Sequence, residues 1–193
     1  MHSSPIRLLL TLDSKIAQEM ATFAPQEKKV LIDAFCGVGG NTIAFALSNR
    51  WSQIWAVEKD DATLKCARRN ARIYGVAKKI MFIKGDVMEV VNNRLKDQAK
   101  KAVIFASPPW GGPDYNGFKV FDLEQMRPYG LQQLYGTLKS ASPDLALFLP
   151  RNSDLEQISA LGKKNEKFEV VHYTLWGSSK VRSNKYDVVA RPS

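Results

Sequence analysis

Five short apolar runs recur along this chain: Val30 to Phe35, Gln53 to Glu58, Ile80 to Lys84, Ala102 to Ala106 and Leu145 to Leu149. Between each and the next lies enough sequence for a helix. Runs of this length bounded by turn signals read as buried strands. Strands joined by helix-length crossovers have to pair in parallel, and the crossovers are right-handed. The outcome is an α/β fold, a mostly parallel doubly wound sheet with helices on both faces. Glu169 to Trp176 and Tyr186 to Ala190 are rich in β-branched and aromatic residues, and they close the sheet as an antiparallel hairpin at one edge.

The helices follow from the gaps. Asn41 to Leu47 is helix-compatible and is opened by Gly37-Val38-Gly39-Gly40. Asp60 or Asp61 caps a helix to about Tyr74, with Gly75 stopping it. Val87 to Asp97 is a third helix, and Asp122 to Ala141 reads as mostly helical with a break at Pro128 and Gly130. Ser153 or Asp154 caps a last helix through about Leu161. One domain over residues 30–193 accounts for all of this, with 1–29 as an appendage holding one short helix, Ser14 to Phe23.

Composition excludes several kinds of chemistry. The two cysteines, Cys36 and Cys66, form no CxxC pair, and with His2 and His172 as the only histidines a metal centre or a Ser-His or Cys-His hydrolase lacks its residues. No apolar run approaches the length of a membrane span, and Pro5 to Leu12 is too short and poorly flanked for a signal peptide, so an intracellular, reducing compartment is expected. The 28 Lys and Arg outnumber the 19 Asp and Glu, which favours a polyanionic partner such as nucleic acid. Lys28, Lys29, Lys139, Arg151, Lys180, Arg182 and Lys185 are the candidate phosphate contacts.

In an open α/β sheet the ligand sits beyond the carboxyl ends of the strands. Here each end carries a polar group. Strand one ends in Asp33 and the glycine turn Gly37 to Gly40, strand two in Glu58, strand three in Asp86 and strand four in Ser107. A dinucleotide site would want a third glycine where Thr42 stands, so the turn suits a ligand without phosphate. S-adenosylmethionine meets that description. Glu58, 21 residues after Gly37, can take both ribose hydroxyls, Asp86 can accept from the adenine amine, and Asp33 can pair with the methionyl ammonium directly or through water.

Beyond strand four comes Ser107-Pro108-Pro109-Trp110-Gly111-Gly112-Pro113-Asp114. Consecutive prolines fix φ and remove backbone donors, which leaves carbonyl acceptors for an exocyclic amine, and Trp110 offers a wide π-face for a flat base. Residues 33–42, Ser107 to Tyr115 and Phe148-Leu149-Pro150-Arg151-Asn152 together resemble the trimethylguanosine synthase family, over about residues 11 to 175. That resemblance implies a Rossmann-like class I S-adenosylmethionine-dependent methyltransferase. It would methylate the exocyclic N2 of the 7-methylguanosine cap of small nuclear and nucleolar RNAs to give the 2,2,7-trimethylguanosine cap, with S-adenosylhomocysteine as product and no metal.

Carried onto this chain, the resemblance gives the cofactor to Asp33, Phe35, Gly37, Gly39, Asn41, Thr42, Glu58, Asp86 and Ser107. Ser107 and Pro108 border the amine, Trp110 stacks on the methylated guanine, Asn70 and Arg151 match positions near the cap ribose and phosphates, and Pro109 and Asn152 are further substrate-binding positions. It further implies a monomer working with snRNP or snoRNP core proteins in the nucleus, in a nucleolar or Cajal-body-like site, with the cytoplasm as a second location. Met1 to Leu10 does not resemble the basic, aromatic extension found in this family: a naturally minimal form is one reading, and a chain cut short there is the other, expected to keep the fold and cofactor pocket but to bind capped RNA poorly. Two alternatives use the same turn: an N6-adenine or N2-guanine methyltransferase acting on internal rRNA or DNA bases, and a catalytically idle cap-binding module.

Overall fold

The computed structural model describes residues 17–22, 24–110, 119–150, 152–162, 168–174 and 186–192, the last two stretches through their backbone. Seven strands form one sheet: β1 (Val30–Asp33), β2 (Gln53–Glu58), β3 (Ile80–Lys84), β4 (Ala102–Ala106), β5 (Leu145–Leu149), β6 (Phe168–Thr174) and β7 (Tyr186–Pro192). Their spatial order is β3-β2-β1-β4-β5-β7-β6, with β1 to β5 parallel. The closing hairpin is present. Its reversed strand is β7, which inserts antiparallel between β5 and β6 and so lies one place in from the edge.

Strand alternation divides the core into two layers. Ile32, Val57, Ile104 and Leu147 face one cluster, whereas Leu31, Ala56, Phe105 and Phe148 face the other. On the second face lie α1 (Gly40–Leu47) and α2 (Asp61–Ile73), which bury Phe45, Leu64, Ala67 and Ala71. The helical stretch 17–22 joins them through Ala17 and Met20. Asp60 is the cap of α2 and accepts from the Thr63 amide at 2.7 Å.

The first face carries the helix expected over Val87 to Asp97, which is not continuous. It starts as α3 (Val87–Glu89), widens into a π turn (Val90–Arg94) and resumes as α4 (Lys96–Ala99). The widening, closed by Leu95 N–H to Val90 O at 2.8 Å, places Val90, Val91, Leu95 and Ala99 all in the core. The long helix expected over Asp122 to Ala141 is also shorter. Only a 3₁₀ turn (Leu123–Gln125) precedes α5 (Leu131–Ala141), and residues 121–130 instead run as a strap across the carboxyl end of the sheet. Asp154 caps α6 (Leu155–Ala160). No helix among the described residues is long and apolar enough to cross a membrane.

Candidate active site

Adjacent strand ends are tied in a row. Ala34 N–H donates to Phe105 O at 2.8 Å, Cys36 N–H to Val57 O at 2.9 Å, and Gly85 N–H to Glu58 O at 3.0 Å. The turns after β4, β1, β2 and β3 therefore start from a common line. The order of the sheet reverses between β1 and β4, and the crevice at such a point is where open α/β sheets take their ligands.

The turn after β1 needs backbone that side chains disfavour. Gly37 has φ +53° and Gly39 φ +93°, so the chain can double back and start α1 at Gly40. The two glycines differ in surroundings. A methyl group at Gly39 would lie 3.3 Å from Ala67 of α2, whereas nothing stands within 4 Å of one at Gly37. The space above Gly37 is thus open to a ligand. Glu58 reaches this turn: Oε2 accepts from Gly37 N–H at 3.1 Å and Oε1 from Asp60 N–H at 2.8 Å. Both bonds leave carboxylate lone pairs for a diol. Asn70, half-buried on α2, donates to Val38 O at 2.9 Å, so it holds the turn itself.

Asp33 lies fully buried beneath the turn, and the Thr42 hydroxyl donates to its Oδ2 at 2.5 Å. Its Oδ1 has no hydrogen-bond partner. Burial raises the Asp33 pKa from 3.8 to about 7, against the opposing pull of Thr42 and the Phe35 backbone. Burial also pushes the Cys36 thiol up, with Asp33 and Glu58 adding to the effect, so it stays protonated and is no nucleophile. Phe35 is half-buried against the first core layer, and Asn41, in the first turn of α1, keeps a buried Oδ1 with no hydrogen-bond partner.

Asp86 caps α3. Its Oδ1 accepts from Met88 N–H at 3.0 Å, while Oδ2 takes the Tyr129 hydroxyl at 2.5 Å and the Lys59 ammonium at 3.3 Å. Burial pushes this carboxyl up, but the bonds from Tyr129, Met88 and Lys59 outweigh it and hold it below the ordinary carboxylate range.

Ser107 is half-buried, Pro108 buried and Pro109 exposed, with Pro109 O accepting from Arg127 N–H at 3.4 Å. Trp110 packs against both core layers. Its Nε1 donates to Phe148 O at 3.3 Å, and its ring centroid lies 5.6 Å from that of Phe148. The aromatic column continues through Phe105 to Phe45 of α1. Asn152 O accepts from Phe121 N–H at 2.6 Å, which brings the β5 end under the strap.

A family model described as RNA cap guanine-N2 methyltransferase matches residues 28–186. This chain belongs to that family. Among RNA cap guanine-N2 methyltransferase relatives, it is 34% identical to the trimethylguanosine synthase of Schizosaccharomyces pombe over 86% of this chain, spanning 67% of that protein. It is 37% identical to that of Saccharomyces cerevisiae over 78% of this chain and 48% of that protein. The fold is shared with a Salinibacter ruber RNA methyltransferase solved with S-adenosyl-L-homocysteine, at TM-score 0.55 and 18% identity, covering 92% of this chain and 90% of that one. The doubly wound class I methyltransferase sheet is therefore the family's scaffold here.

The structure thus draws Asp33, Gly37, Gly39, Thr42, Glu58 and Asn70 around one turn, with Asp86 one strand further and the Ser107 to Trp110 turn on the other side. Arg151, Lys180, Arg182 and Lys185 lie outside the described residues, as do Gly111 to Tyr115. Lys28 and Lys29 precede β1 and Lys139 lies in the last turn of α5, at the amino end of the sheet, where Lys28 pairs with Asp144 at 2.9 Å. Sequence reasoning missed Tyr129, Lys59 and the backing of Trp110 by Phe148. Tyr129 sits in a turn without periodicity, and Phe148 carries only the signal of a core strand. Among the described residues no group of three or more His, Cys, Asp or Glu could hold a metal ion.

Proposed function

We propose that this chain transfers methyl groups from S-adenosylmethionine to the exocyclic N2 of a 7-methylguanosine cap on small nuclear and nucleolar RNAs, giving the 2,2,7-trimethylguanosine cap. The observation that carries this reading is an indole clamped at the carboxyl end of β4, one strand from an open glycine turn flanked by carboxylates. The orphaned Oδ1 of buried Asp33, the free space over Gly37 and the diol-ready Glu58 fit S-adenosylmethionine, which Asp33, Gly37, Glu58 and Asp86 would hold. When bound, it supplies a methyl group already activated as a sulfonium.

The chain's own part is orientation. Trp110 receives the cationic 7-methylguanine through stacking, about 1–3 kcal/mol, and cation–π attraction, about 2 kcal/mol when desolvated, which favours a methylated cap over plain guanine. Ser107 and Pro108 border the amine and align its lone pair, so no strong base is required and rate comes from positioning. Residues 30–193 form the methyltransferase domain in this reading, with 1–29 an appendage and the capped RNA as partner. Arg151 contacts the cap phosphates, and the enzyme works as a monomer in the nucleus beside snRNP or snoRNP core proteins.

Incubating the protein and radiolabelled cofactor with m7GTP, GTP and adenine-containing oligonucleotides tests the assignment. Label on m7GTP alone is expected; label on the oligonucleotide instead would move the enzyme to internal bases. Trp110→Ala should lose at least about tenfold in kcat/KM on m7GTP, from the stacking term, while retaining cofactor affinity.

A further inference from the structure

We propose that Tyr129 is a specificity-determining positioning residue of the cofactor site, which acts by locking the Asp86 carboxylate so that it accepts an exocyclic amine and rejects an oxo group. The inference rests on the reading of Asp86 as the adenine acceptor. A carboxylate offers about four acceptor directions. In Asp86, Oδ2 is occupied by the Tyr129 hydroxyl and the Lys59 ammonium, and Oδ1 already takes Met88 N–H. One direction on Oδ1 remains. A carboxylate has no donor to offer a C=O, and one fixed in this way cannot withdraw from it, so the remaining direction discriminates between an N–H and a C=O facing it.

The two contacts on Oδ2 are unequal. Lys59 is 70% exposed and meets Asp86 at 3.3 Å, a pair that water screens. Tyr129 is half-buried, its bond is 2.5 Å long, and its pKa is pushed up to about 12 by burial and by Asp86, so it remains a donor throughout the physiological range.

The strap that carries Tyr129 is itself firmly seated. Leu123 and Met126 are fully buried anchors, Leu123 N–H donates to Gln157 Oε1 at 2.7 Å, and Gln157 Nε2 donates to Asp122 Oδ1 at 2.6 Å. The same strap touches the acceptor turn through Arg127 N–H and Pro109 O. A rigid segment anchored on α6 and on the β4 turn therefore sets where the Asp86 carboxylate stands.

The test is calorimetric titration of wild type, Tyr129→Phe and Asp86→Asn with S-adenosylhomocysteine and with S-inosylhomocysteine, in which an oxo group replaces the adenine amine. A ratio of the two affinities cancels any general loss from a loosened strap. Wild type should prefer the adenine form by about tenfold or more, and Tyr129→Phe should narrow this to about two- to threefold, a ratio read independently of the drop in melting temperature that losing a bond to a charged group brings. An unchanged preference in Tyr129→Phe, together with its loss in Asp86→Asn, overturns the role of Tyr129 alone. A full preference kept in Asp86→Asn overturns the reading of Asp86 as well.

Discussion

At the residue scale, Asp33 shows how burial serves a ligand at the expense of the empty protein. Its carboxyl titrates near 7 in the fold and near 3.8 when exposed. Between those values the folded chain keeps a proton that the unfolded chain has released, so stability falls as pH rises from about 4 to about 7 and levels off above. Asp33→Asn removes that slope, because the amide oxygen still accepts from Thr42 and carries no charge to desolvate. Thermal melts at about pH 4.5 to 8 should show the variant gaining on wild type across this interval; parallel curves would contradict the argument. An ammonium partner needs the Asp33 anion, so cofactor affinity in the wild type should climb over the same interval and stay flat in Asp33→Asn.

At the scale of elements, the sheet was legible because a buried parallel strand has to be apolar on both faces, as Ala102–Ala106 and Leu145–Leu149 are. The acids at the strand ends were equally plain, since polar residues there have no packing reason. The strap was not, because it is held by backbone and side-chain bonds to distant partners, Gln157, Pro109 and Asp86, that no local period encodes. The π turn after Glu89 escaped for a similar reason: the demand that Val90, Val91 and Leu95 all face the core outweighs ideal helix geometry.

The glycine turn yields the prediction at this level. An alanine at either position meets the left-handed penalty of roughly 1–2 kcal/mol. Gly39→Ala also presses on Ala67 and separates α1 from α2, so it should melt lower than Gly37→Ala. Gly37→Ala instead fills the open space, and its main loss should be in binding S-adenosylhomocysteine. Equal melting temperatures and equal affinities in the two variants would sink this distinction.

At the scale of the whole molecule, the charge is unevenly spread. Residues 59–101 hold 12 Lys and Arg against 5 Asp and Glu, most of the net +9. On α2, Lys65, Arg68, Arg69 and Arg72 follow helical spacing and all are exposed. Part of this charge is engaged locally, Lys65 with Asp61 at 2.7 Å and Arg68 with Phe82 O at 3.0 Å. Binding of capped RNA should weaken steeply with added salt, by a slope of about 0.7 per phosphate contacted, while binding of m7GTP changes less. Replacing Arg69 and Arg72 together with Glu should flatten the RNA slope by about one and leave m7GTP turnover intact, measured by initial rates at several salt concentrations.

Trp110 is held by Phe148 O and by packing on both core layers before a base arrives. With these contacts already made, little side-chain freedom is lost on contact, so the advantage of a methylated guanine over a plain one should be expressed in how slowly it departs, with similar rates of arrival for both.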